Sequence, residues 1–176
     1  MKNKTGFTLI ELIIYITTFA IVAVFLILFV FNLIDVQTKI KISKEVLENS
    51  QRAMEIMLWH IRHSQNVYLP TSSFGSHPGQ LSLETAQNKP QGEETTYLDF
   101  YLDENGRICF KQEESEAVAL TSEKIKINNL VFNYLIDSNN NKSVRIELSA
   151  IYNHPGGGIT YQATSTLVST ANLRND

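Results

Sequence analysis

The sequence predicts an α+β protein in which one long N-terminal helix, apolar in its first half and amphipathic in its second, packs on an antiparallel β-sheet. Three observations predict it. An apolar run fills positions 12–31, no Pro or Gly interrupts positions 8–67, and alternating strand-like segments punctuated by turn residues follow. At 176 residues the chain has room for one domain and one appendage.

In the apolar run, fifteen residues are Leu, Ile, Val or Phe, and the polar breaks are Thr17 and Thr18. On an insertion scale they contribute about −5 to −9 kcal/mol. Glu11 lies near the edge, where a carboxylate costs less than the roughly 2.5–3.5 kcal/mol of a central charge. Insertion therefore wins. The length suits a bilayer-spanning helix, which needs about 20 residues. A secretory signal core is about 7–15 residues long and ends in a small-residue cleavage site, which Asn32, Leu33, Ile34 and Asp35 do not offer. Segment 7–34 is therefore expected to stay as a transmembrane helix. Lys2 and Lys4 on one side, against Lys39, Lys41 and Lys44 on the other, leave its orientation open by charge.

The helical pattern continues past Asp35 as a stripe of Ile40, Leu47, Met54 and Ile61, widened by Val36, Met57 and Leu58. Glu45, Glu48, Arg52, Glu55 and Arg62 take other faces, as an amphipathic helix requires. Pro70 disfavours helical geometry at the residue before it, so the continuation is expected over 35–69. One continuous helix of about sixty residues would be about 90 Å long. A coiled-coil seam would place Ser43, Ser50 and Ser64 at its second apolar position, so packing on a sheet of the same chain is the favoured reading.

Residues 70–176 are expected to supply that sheet. Positions 71–96 read mainly as loop, with a short alternating piece at 80–83. A strand over 96–102 puts Leu98, Phe100 and Leu102 on one face. The turn Asp103-Glu104-Asn105-Gly106 leads to a return strand at 107–111. Leu130, Phe132, Tyr134 and Ile136 share one face of the next strand, Val144, Ile146, Leu148 and Ala150 of another, and 161–168 makes the last. No second helical segment separates the strands, which favours antiparallel hairpins over βαβ units.

No constellation of catalytic residues emerges. His60 and His63 share a helix side without a third ligand at metal-binding spacing, and a solvated helix face explains them. Asp137, Asn139 and Asn141 match the first ligand positions of a calcium loop. Lys142 stands where that loop needs Gly and Leu148 where it needs Glu, so a hairpin turn is the better reading. The loop at 154–158, His-Pro-Gly-Gly-Gly, lacks the Lys-Ser/Thr and helix of a phosphate cradle. Cys109, the single cysteine, is expected to pack in a strand. A net charge of −3 disfavours generic nucleic-acid binding. No metal or cofactor is expected.

The segment KTGFTLIEL at positions 4–12 resembles the processing site of type IV prepilins and pseudopilins. A short basic leader precedes Gly6, and Phe7, Thr8, Leu9 and a glutamate at the fifth mature position open an uninterrupted apolar helix. The resemblance is strong over residues 1–34 and looser beyond, where a long helix on an antiparallel sheet is the pilin fold. It implies a leader of residues 1–6, cleavage after Gly6 by a membrane prepilin peptidase, and N-methylation of Phe7. It implies that Glu11 meets the amino terminus of a neighbouring subunit in a filament. The implied partners are other major and minor pilins or pseudopilins, the peptidase, an inner-membrane assembly platform and membrane lipid. The implied protein is a non-enzymatic subunit of a type IV pilus, competence or type II secretion filament, stored in the cytoplasmic membrane with residues 70–176 outside the cytoplasm. Residues 51–62, and the tail that ends Leu173-Arg174-Asn175, are similar to minor pseudopilins of the J/W type. The absence of a helix proline and of paired C-terminal cysteines also points away from a major pilin. One alternative is a single-pass anchor whose ectodomain binds a ligand. A second is a tethered hydrolase built on the Asp137 loop.

Overall fold

The computed structural model describes residues 8–113, 115–154 and 162–174. Helix α1 (Leu9–His63) runs unbroken for 55 residues, about 80 Å at the α-helical rise. Its two halves differ in environment. Up to Val36 every residue is exposed except the half-buried Ala23. From Ile42 onward, Ile42, Val46, Ser50, Ala53, Met54, Met57, Leu58 and Ile61 are buried against the sheets.

The buried stripe differs from the expected one. Met54 and Ile61 lie inside, but Val36, Ile40 and Leu47 are 54 %, 62 % and 41 % exposed. An α-helix drifts by about 20° per seven residues, so steps of seven do not hold one face. The observed contacts advance by three and four. Ser50 sits within them because its hydroxyl donates to the Val46 carbonyl oxygen at 2.7 Å, leaving no unpaired polar atom.

The helix also ends earlier than the proline suggests. Ser64 is the C-cap, extended at φ −88° and ψ 146°. The next backbone groups are taken by strands: the Gln65 N–H donates to the Glu84 carbonyl at 2.9 Å. Asn66 and Val67 then form β1 (Asn66–Val67), opposite Glu84 and Leu83. The expected continuation over 35–69 therefore stops at His63. Sheet pairing captures the chain before proline geometry matters.

The remaining strands make two antiparallel sheets where one was expected. The first has the order β1-β2-β3-β4-β5, with β2 (Leu81–Thr85), β3 (Thr96–Leu102), β4 (Ile108–Gln112) and β5 (Val118–Ala119). The second has the order β6-β7-β8, with β6 (Ile125–Ile136), β7 (Lys142–Tyr152) and β8 (Thr164–Asn172). They do not join because other backbone groups occupy the outer edge of β6. The N–H groups of Gly75 and Gly79 donate to the Phe132 and Leu130 carbonyls, both at 2.9 Å, and the Ile127 N–H donates to Gly106 O at 2.8 Å. Glycine suits this close approach at position 79, where a Cβ would lie 3.0 Å from the Leu130 oxygen and press its neighbours apart.

At the 103–106 turn only Gly106 has positive φ, at +74°. A two-residue Asn-Gly hairpin would need positive φ at both residues. Instead the Asp103 carboxylate holds the turn, accepting from the N–H groups of Asn105 (3.0 Å) and Arg107 (2.8 Å) and from Arg107 Nε (2.7 Å). The inward faces of both sheets and of distal α1 meet in one core, with Phe100, Phe132, Met57 and Ile61 fully buried.

The start of the helix as the candidate functional site

Thr8 caps α1 in an extended conformation (φ −81°, ψ 150°), and Glu11 is the third residue of the helix. The two close a reciprocal capping box. The Glu11 N–H donates to Thr8 Oγ1 at 3.4 Å, while Glu11 Oε2 accepts from the Thr8 N–H at 3.0 Å and the Thr8 hydroxyl at 2.8 Å. A carboxylate in the first turn also complements the positive end of the helix dipole. The apolar run makes Glu11 look like a cost at the membrane edge, and this local partner was not anticipated. The signal was present as Thr-x-x-Glu just before an apolar run.

Only Oε2 takes part in those bonds. Glu11 Oε1 has no partner among the described residues. Oε2 thus anchors the helix start.

Three other polar side chains of the exposed half close on their own helix. Thr17 Oγ1 donates to Ile13 O at 2.8 Å, Thr18 Oγ1 to Ile14 O at 2.9 Å, and Asn32 Nδ2 to Leu28 O at 2.9 Å. This suits an apolar surrounding, where an unmade hydrogen bond is costly. The two threonines that look like breaks in the sequence thus cost the apolar surface little. The helix is long and apolar enough to cross a membrane, and its apolar stretch is unburied by its own chain.

Gly6 and Phe7 lie outside the described residues, as does most of the glycine-rich loop after His154. The remaining candidates occupy separate places. His60 is not on a solvated face: it is half-buried, with its ring 5.7 Å from Phe100 and 5.8 Å from Phe110. Burial pushes its pKa below the usual histidine value, and the nearby His63 adds to this. His63 is exposed and stacks on Trp59 at 4.4 Å. Asp137 Oδ1 accepts from the N–H groups of Asn139 and Asn141, both at 2.8 Å, and Oδ2 accepts from Asn141 Nδ2 at 2.8 Å. Bonds from Asn141 and then Asn139 hold its pKa below the usual carboxylate range. The turn chemistry accounts for these three residues. Cys109 is buried in β4, and burial raises its pKa, which makes it a poor nucleophile. Among the described residues no three His, Cys, Asp or Glu side chains gather to hold a metal.

Residues 1–28 match the family model of the prokaryotic N-terminal methylation motif. No curated protein and no solved structure matches the chain. This prepilin-type motif implies processing by a prepilin peptidase and assembly with other pilins, and with the apolar helix it supports membrane anchoring. The chain thus joins a prepilin-type N-terminal motif to a long helix packed on antiparallel sheets, a pilin-like α+β architecture.

Proposed function

We propose that the chain is a minor pilin or pseudopilin of the J/W type, serving a type IV pilus, competence or type II secretion filament. The single observation that carries this reading is an apolar helix half, opened by the methylation motif, that its own chain leaves bare. Segment 7–34 stores the subunit in the cytoplasmic membrane as a single pass, with the sheets outside the cytoplasm. The peptidase cuts after Gly6, and Phe7 becomes the methylated amino terminus. On assembly the bare half leaves lipid for a bundle of neighbouring helices, driven by a platform and motor that other chains supply.

Glu11 has a specific task in that transfer. A carboxylate in a helical bundle is tolerable only when it is paired. Its Oε2 keeps the cap with Thr8, and its Oε1 accepts from the amino terminus of a neighbouring subunit. The motif Thr-x-x-Glu thus serves the monomer and the filament with different oxygens of one carboxylate.

Mass spectrometry of the N-terminal peptide from purified protein tests the proposal. The expected peptide begins at Phe7 and carries one N-methyl group. A mature chain beginning at Met1 or Lys2 would instead support the simple anchored ectodomain.

A further inference from the structure

Sheet edges expose unpaired backbone groups, and proteins usually shorten, cover or charge them. Among the described residues, three of the four sheet edges follow that rule. β1 and β5, the edges of the first sheet, are two residues each. The outer edge of β6 is held by Gly75, Gly79 and Gly106, and His77 Nδ1 accepts from the Leu130 N–H at 3.0 Å. β8 is different. It is nine residues long, and positions 163–173 contain no charged residue, Pro or Gly.

The register shows which groups β8 leaves free. Leu173 N–H donates to Lys142 O at 2.9 Å, and Ala163 O accepts from Tyr152 N–H at 3.1 Å. Odd-numbered residues therefore turn their backbone groups toward β7. Thr164, Thr166, Val168, Thr170 and Asn172 turn theirs outward. The side chains of these five are exposed, while Ser165 and Ala171 are buried on the helix side. Beside this edge, Gln51, Met54 and Glu55 of α1 and Leu167, Val168 and Ser169 of β8 line a groove of about 280 Å³. A strand laid along β8 would place alternate side chains there.

The occupant follows by elimination. Two copies joined edge to edge through β8 as antiparallel strands would be related by a two-fold axis normal to the sheet. That axis reverses every direction in the sheet plane, including that of α1, which packs on the sheet. The two apolar helix halves would then point opposite ways and could not share one membrane or one filament polarity. Head-to-tail pairing of copies fails too, because the other edges are two residues long or already bonded.

We propose that the β8 edge is a strand-addition site for an extended, uncharged segment of a different protein, with apolar side chains directed into the groove at Met54 and Leu167. Main-chain bonds would supply affinity, and the groove would supply selectivity. The elimination of a second copy rests on the membrane-anchored reading above.

The test places a photoreactive residue singly at Thr166, Val168 and Thr170 of the full chain in its native cell envelope. Cross-linked peptides are then sequenced. The expected result is one segment of one other protein, with the cross-linked residue moving two positions for each two-residue step along β8. Val168→Pro removes an outward N–H without touching the β7 ladder and should lower the yield at Thr166 at least tenfold. If that variant melts earlier than wild type, the doubly substituted Thr164→Lys, Thr170→Lys chain decides in its place. Cross-links to β8 of a second copy, to lipid alone, to scattered positions, or to nothing would overturn the proposal. The N-terminal peptide of the same sample separately reports prepilin processing, so failure of the strand site in a processed chain does not count against the family reading.

Discussion

The two halves of α1 share a helix and differ in who buries them. Residues 42–61 bury an irregular stripe against the chain's own sheets, whereas residues 9–36 bury almost nothing. Apolar surface removed from water stabilises by about 25 cal/mol per Å². The distal half therefore contributes to folding, and the proximal half keeps its apolar surface for an apolar environment outside the chain. A helix can thus belong to a fold at one end and to a membrane or an assembly at the other.

The largest effect that separates the halves is a cavity. Met57→Ala empties a fully buried site on the distal half of α1 that faces the shared core. It should cost about 2–5 kcal/mol in urea unfolding of the detergent-solubilised chain. Leu26→Ala, in the bare half, should leave that transition within about 0.5 kcal/mol of wild type. Equal losses would mean that the two halves are not energetically distinct.

Next in size is the effect of Glu11→Ala on assembly. Membrane insertion and cleavage should persist, while incorporation into filaments falls about tenfold, a difference of about 1.4 kcal/mol. Wild-type incorporation would remove the pairing role and leave Glu11 only its cap with Thr8.

The smallest effect sharpens the description of the distal half. His60 packs beside Phe100 and Phe110, and its pKa is lowered from the ordinary value of 6.5 in the folded chain. Below that value the unfolded chain binds a proton that the folded chain resists, so stability should fall as pH drops from about 7 through the folded pKa. His60→Gln should flatten this dependence relative to wild type in pH-dependent melting. An unchanged slope would place the titrating group elsewhere.

Much of this architecture is legible in the sequence because it depends on local patterns. The apolar run, β3 at 96–102 and the inward faces of β7 follow from composition and period-two alternation. The Thr8–Glu11 cap was missed although it is local, and the rest of what escaped depends on distant partners. Asn66 and Val67 leave the helix because β2 takes their neighbours' backbone groups. Ile40 stays exposed because burial begins only at Ile42, and Leu47 because the helix drifts off a seven-residue step. His60 reads as solvated because Phe100 and Phe110, which flank it, are some forty and fifty residues away. The second sheet was hidden for the same reason, since Gly75 and Gly79 bond to β6 across more than fifty residues. At the site itself, Glu11 was visible as an oddity. The engagement of its Oε2 with Thr8 required coordinates.

A lipid-borne photoprobe tests the central claim most directly, by labelling residues 12–31 in cells that store the subunit and in purified filaments. The account predicts strong labelling around the helix in the stored form and its loss, by at least tenfold, after assembly. Equal labelling in both states would contradict the claim that the bare half of α1 exchanges lipid for neighbouring subunits.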